Sequence, residues 1–245
     1  MLKTLWHEAI YQPLYNGLIF ISNIIPTHDI GITIIVLTIL VKLALYPIAK
    51  KGIVAQQKMK RIEGELQEAK EKHKADKQAQ AQATMALYKK HGVNPAAGCL
   101  PALLQIPIII GLYYVFSKHL TVDPTLLYSF ISAPENLNLL FLGFVDISKK
   151  NLFLAIFAGL TQHLQARFSQ PNTPSTDKPK TQQEEFARAM QMQMKYMLPF
   201  MITFFAYSLS AGVALYWSVG NIVSIVQDIW VKRHLKASEL KPDLK

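Results

Sequence analysis

Residues 30 to 49 read IGITIIVLTILVKLALYPIA, twenty positions whose only formal charge is Lys42. At about 1.5 Å per residue, a helix of this length crosses a hydrocarbon core of roughly 30 Å. The stretch reads as a membrane span, and Lys42 is the residue in it that lipid tolerates least. Eight residues separate it from Lys50, which puts it about 12 Å from the inner end of the span and about 18 Å from the outer end. A lysine at that depth costs roughly 2.5–3.5 kcal/mol to insert and faces a protein interior or a wet cavity unless its side chain snorkels to the headgroups. The remaining distance exceeds what one lysine comfortably covers.

The rest of the chain agrees with a lipid environment. Of its 245 residues 51% are hydrophobic and only 17% are charged, well under the roughly 25% charged of soluble domains. Further uncharged runs follow at 99–116 (CLPALLQIPIIIGLYYVF), 151–166 (NLFLAIFAGLTQHLQA) and 196–227. The last is too long for one ordinary span and is interrupted at Ser208, Ser210 and Gly212, so it is expected to be two helices with a tight turn. Several of these spans are short, which implies either polar ends beyond the apolar limits or a bilayer thinned around the protein. The lone cysteine, Cys99, excludes an internal disulfide framework or a multi-cysteine metal site and reads as a small residue at a helix start.

Charge sorting gives an orientation. If the chain starts outside, the segments left inside (50–98, 167–195 and 228–245) hold 21 Lys and Arg, against Lys3, Lys118, Lys149 and Lys150 outside. This is the positive-inside pattern. It accounts for the net charge of +10 without nucleic acid, so DNA is not an expected partner. Before the first span, Leu5, Trp6, Ile10, Leu14, Leu18 and Ile21 recur at helical spacing and suggest a helix in the outer interface. No basic start, apolar stretch and small-residue cleavage site mark a signal peptide there. Between the first two spans, Met59, Ile62, Leu66 and Ala69 form one apolar stripe, and Ala81, Met85 and Tyr88 another. Two antiparallel helices joined near His73 to Asp76 would bury both, with Gly92 and Pro95 ending the second arm. Residues 169–182 have the composition of a mobile loop.

Thr38 and Tyr46 stand four residues to either side of Lys42, so the three are expected on one helix face. Gln105, Gln162, His163, Tyr216, Trp217, Asn221, Ser224 and Gln227 add polar or amphipathic groups at membrane depth. Each has an alternative role in an interhelical hydrogen bond; together they would line a cavity. No acidic residue lies inside any span, and an unpaired ammonium stays charged only where water reaches it. The expectation is a hydrated groove with one fixed positive charge. Enzyme templates fail: GxSxG, HExxH and a pair of intramembrane aspartates are all missing, and no cofactor is implied.

The segment TMALYKKHGVNPAAGCLPALLQIP at 84–107, with GITIIVLTILVKLALYP at 31–47 and GVALYWSVGNIVSIVQ at 212–227, resembles the YidC-type membrane protein insertases over nearly the whole chain. The resemblance implies an all-α membrane protein of the bacterial plasma (inner) membrane, in a short form lacking a large external domain. Five transmembrane helices would surround a hydrophilic groove open to cytoplasm and lipid, with the amino terminus outside and the carboxyl terminus in the cytoplasm.

The expected boundaries are an interfacial segment 1–28, spans 29–49, 95–117, 151–168, 195–209 and 212–231, a cytoplasmic hairpin 50–94, an external loop 118–150, a cytoplasmic loop 169–194 and a basic tail 232–245. The family's groove charge is usually arginine, and the matching position here is Lys42. Lysine keeps the charge but not the bidentate fork. Lys42, Thr38, Gln105, Gln162, Tyr216, Trp217 and Asn221 are the candidate groove residues. The partners implied are nascent membrane proteins and the lipid bilayer, with a Sec-type translocon, the ribosome and the signal recognition particle receptor as further candidates. Two other functions fit the residues alone: a small transporter or anion-conducting channel selecting through Lys42, and an assembly chaperone that translocates nothing.

Overall fold

The computed structural model describes residues 4, 6–98, 100–117, 122–134, 136–169, 189 and 192–239. Cys99, Lys118, most of the expected loop 169–194 and the last residues of the tail lie outside them. Among the described residues the chain is all-α, apart from one two-stranded ladder of two residues per strand.

Proline punctuates the helices. A π-turn at His7–Tyr11 leads into α1 (Gln12–Ile24), and Pro13 stands in the first turn of α1. A second π-turn, Gln193–Met197, leads into α8 (Leu198–Ser208), and Pro199 occupies the same place there. A proline ring pushes on the carbonyl four residues back and supplies no N–H, and widening the preceding turn relieves both problems.

The expected continuous first span is bent. Helix α2 (Ile30–Ala44) starts on Asp29, whose carboxylate accepts from the Ile32 amide at 3.1 Å. It stops two residues short of Tyr46, and α3 (Tyr46–Arg61) leaves at 62°. Pro47, in the first turn of α3, removes the donor that would have continued the α2 ladder. No single helix among the described residues is long and apolar enough to cross a membrane alone; α2 and α3 meet that test together.

Helix α3 ends at a kink on Ile62, after which α4 (Glu63–Lys72) and α5 (Lys77–Lys90) form an antiparallel pair. Asp76 caps α5 by accepting from the amides of Gln78 and Ala79, at 2.9 and 3.0 Å. Gly92 adopts φ +58°, the left-handed conformation that closes a helix. The seam of the pair is Ile62, Leu66 and Val93 with Met59, Leu87 and Tyr88. It differs from the expected stripe at Ala81 and Met85, both exposed, because α5 presents Leu87 instead.

Helices α6 (Leu100–Ser117) and α7 (Leu152–Ser169) follow, with strands β1 (Leu140–Phe141) and β2 (Val145–Asp146) between them. The last helix, α9 (Ala211–Glu239), runs 29 residues, continuing through the first part of the expected tail. It packs along α7, α2 and α3, while α8 lies on α7. The α7–α8–α9 junction is built from small side chains, Ala155, Ala158, Ala206 and Ala214, around Ile202. A Cβ on Gly159 would overlap the Thr203 hydroxyl, so the glycine sets how closely α7 and α8 approach.

The other core cluster gathers Leu14, Leu18, Ile19, Ile30, Ile34, Leu112, Ile147 and Val213 at the end of the molecule that carries the β-turn. There the connecting segment is stitched down by backbone bonds. Ile30 N donates to Asn138 O and Ala211 N to Lys149 O, at 3.0 and 2.7 Å. Buried Asn16 accepts from the Tyr128 amide at 2.7 Å and donates to the Leu126 carbonyl at 2.8 Å.

Candidate functional site

Lys42 sits one turn before the α2–α3 bend, half-buried between α2, α6 and α9. Its ammonium donates to Gln105 Oε1 on α6 at 3.2 Å and to Ser224 Oγ on α9 at 3.1 Å. Both partners are neutral. Gln105 in turn donates from Nε2 to the Tyr216 hydroxyl at 2.5 Å, and Gln227 Nε2 donates to the backbone carbonyl of Lys42 at 3.1 Å. An ammonium carries three donors, and two of them have partners among the described residues.

The face of α9 explains the arrangement. Tyr216, Gly220, Ser224 and Gln227 recur at intervals of four, four and three, so they share one side of that helix. Gly220 leaves a slot: a Cβ there would lie 3.3 Å from Lys42 Cε, closer than a side chain comfortably allows. The absence of a side chain at 220 lets the lysine cross α9 and reach Ser224.

Among the described residues no carboxylate pairs with Lys42. Asp29 is at the far end of α2, where its oxygens accept from the Ile32 and Leu142 amides. Asp228, one turn beyond Ser224, is paired with Lys232 at 2.6 Å, and Lys232 also bonds the Phe168 carbonyl at the end of α7. A charge held by neutral dipoles alone keeps its attraction for an incoming anion, whereas an ion pair would have spent it.

The sequence candidates fall into two groups. Lys42, Gln105 and Tyr216 form the cluster just described. Gln162, Trp217 and Asn221 form a second one between α7 and the adjoining face of α9. Trp217 Nε1 donates to Gln162 Oε1 at 2.8 Å, and Asn221 Nδ2 donates to Thr161 Oγ1 at 3.2 Å.

Thr38 belongs to neither hydrogen-bonded group: it is fully buried and its hydroxyl donates to the Ile34 carbonyl at 2.6 Å. The expected polar face through Thr38, Lys42 and Tyr46 is interrupted, because the chain turns at Leu45. Tyr46 leans its ring edge-on against Trp230 at 5.7 Å, with its hydroxyl buried and unpartnered. Ser224 and Gln227, expected only as polar groups at depth, are direct contacts of Lys42. Gly220 and Thr161 were not anticipated; a small residue one turn from both Tyr216 and Ser224 was the available signal for the first.

Comparison with known proteins bears on the whole arrangement. A family model described as 60Kd inner membrane protein matches residues 20–239. A protein named membrane protein insertase YidC from Syntrophobacter fumaroxidans is 34% identical over 236 residues, covering 94% of this chain and 39% of the relative. Proteins of the same name from Geobacter metallireducens and Wolinella succinogenes are 31% and 34% identical, over 96% and 85% of this chain and 39% and 34% of theirs. The chain therefore spans about two fifths or less of the length of these curated relatives. With the model match running from α1 through the whole of α9, the chain belongs to the 60Kd inner membrane protein family, in which the YidC insertases are its curated relatives.

Proposed function

We propose that the protein is a membrane protein insertase of the bacterial inner membrane, multi-pass, with its amino terminus outside and its carboxyl terminus in the cytoplasm. It receives short, weakly charged tails of nascent membrane proteins in a groove around Lys42, moves them across a thinned bilayer and releases their apolar helices sideways into lipid. The bent pair α2–α3 with α6, α7, α8 and α9 supplies the five spans, and α4–α5 is the cytoplasmic hairpin. The observation that carries the reading is Lys42: a half-buried cation on an apolar helix, bonded to neutral side chains from two other helices.

The energetics need no nucleotide. Burying one substrate span at about 25 cal/mol per Å² of apolar area yields many kcal/mol, so the obstacle is the barrier to moving the polar tail. Lys42 lowers that barrier by attracting the tail's carboxylates while their hydration is stripped. Gln105, Ser224 and Tyr216 exchange hydrogen bonds with passing peptide groups, and Gln162, Trp217 and Asn221 extend the polar lining toward α7. Neutral partners suit transit because none holds the substrate as an ion pair would. A Sec-type translocon, the ribosome and the signal recognition particle receptor are candidate partners at the cytoplasmic hairpin.

The test is reconstitution of the purified chain into vesicles with a single-span substrate bearing an acidic tail. Insertion that survives Lys42→Arg and is lost in Lys42→Glu supports the reading. Anion flux without insertion would overturn it in favour of a channel.

A further inference from the structure

The turn between β1 and β2 departs from what an aqueous turn requires. Leu142 and Gly143 both adopt positive φ, +52° and +83°, positions where Asn, Asp or Gly avoid steric cost and a branched apolar residue does not. The tip Leu142–Gly143–Phe144 is nevertheless flanked by two large apolar side chains, 59% and 74% exposed. Both lie in the turn beyond the strands. On the inner side, the Phe141 ring lies against the backbone of Gly31, leaving no room for a Cβ there, while Leu140, Leu142 and Phe144 are all exposed.

The turn itself is firmly placed. Gly143 N donates to Leu140 O at 3.1 Å, Phe144 N to Phe141 O at 3.2 Å, and Leu142 N to Asp29 Oδ2 at 2.9 Å. Asp29 is the cap of α2; the tip is thus fixed to the outer end of the bent span.

Two observations name what covers this tip. The exposed Lys149 and Lys150 stand three and four residues past β2, Lys149 in an ion pair with Asp146 at 2.9 Å that leaves its ammonium largely open, and they match the phosphates of a bilayer surface in charge. Beyond them α7 opens with Leu152 and Phe153, the latter 83% exposed. The apolar surface of that helix thus begins six residues past β2 along the chain.

We propose that the β1–β2 turn is a lipid anchor: Leu142 and Phe144 insert among the acyl chains just below the outer headgroups, with Lys149 and Lys150 on the phosphates. The anchor rests on the membrane orientation given above. By holding Asp29 at the level of the outer headgroups it sets the vertical position of α2, and with it the depth of Lys42.

A spin label distinguishes the outcomes. In a Cys99→Ala background, Phe144→Cys is labelled in the full chain in nanodiscs of phosphatidylethanolamine and phosphatidylglycerol, with Phe157→Cys on the exposed face of α7 as reference. Collision with oxygen exceeding collision with a water-soluble nickel complex at both sites is the expected result. A Phe144 label open to nickel beside a lipid-buried Phe157 label overturns the anchor and leaves the membrane reading standing. Nickel access at both sites overturns the membrane reading and the anchor with it. A Phe144 label shielded from both reagents overturns the anchor in favour of a protein contact.

Discussion

At the scale of single residues, glycine and asparagine do the placing that the charged residue depends on. Gly220 is the slot through which Lys42 reaches Ser224. Gly220→Val would drive a branched side chain into the lysine stem, an overpacking cost of about 1–3 kcal/mol. Vesicle insertion should fall roughly tenfold if the lost alignment raises the barrier by about 1.4 kcal/mol. Normal insertion by a Gly220→Val protein would show that the position of Lys42 is immaterial. Asn16 acts at the other end, satisfying a donor and an acceptor of the segment 126–128 from inside α1. Asn16→Ala leaves the Tyr128 amide without its acceptor, and the Leu126 carbonyl with Gln12 Nε2 at 3.3 Å; it should cost about 1–3 kcal/mol, read as a lower thermal midpoint. The same variant should be cleaved faster than the parent by external protease in the 122–128 segment.

At the scale of elements, local chemistry decides the breaks and tertiary packing decides the faces. The apolar run at 30–49 announced a helix, and Pro47 at its end was visible, but the 62° bend depends on how α3 turns to meet α9. Periodicity likewise placed both arms of the hairpin and their join at 73–76. It misassigned Met85, because narrow stripes on two polar helices leave the rotation of each to be settled by the kink at Ile62 and the contacts of Leu87 and Val93.

The hairpin carries a pH-sensitive clasp. Glu65 on α4 accepts from His91 Nε2 at 3.0 Å and Lys90 Nζ at 3.3 Å at the end of α5. These hydrogen bonds, first from His91 and then from Lys90, hold its carboxyl below the usual glutamate value of about 4.3. A lowered acid contributes its stabilisation above its unfolded value and loses it as pH falls through the folded one. Spin labels at Glu68→Cys and Gln82→Cys should therefore report arms that separate more readily as pH drops below about 4. Glu65→Gln should flatten that dependence, and an unchanged profile in the variant would assign the transition to other groups.

At the scale of the whole molecule, two well-packed clusters that share Leu154 stand beside a loosely paired site. The β-turn end is closed by backbone bonds from the connecting segment to α2 and α9. The α7–α8–α9 wedge is closed by alanine and glycine. Among the described residues, Lys42 has only neutral partners. The lysine and the lack of an acid beside it among the described residues were legible in the sequence because each is a property of one residue or one run. The division of the polar residues between two faces of α9 was not, since Tyr216 and Trp217 are neighbours in the chain and part company only once the helix is placed between α2 and α7. The proposed mechanism needs Lys42 to be wet from the cytoplasmic side and sealed from the outer side. That requirement is tested directly by Lys42→Cys in a Cys99→Ala background, exposed in oriented membranes to a thiol reagent that cannot cross lipid. Modification from the cytoplasmic face with protection from the outer face is the predicted result, and a cysteine that reacts from neither face, or from the outer face, would contradict it.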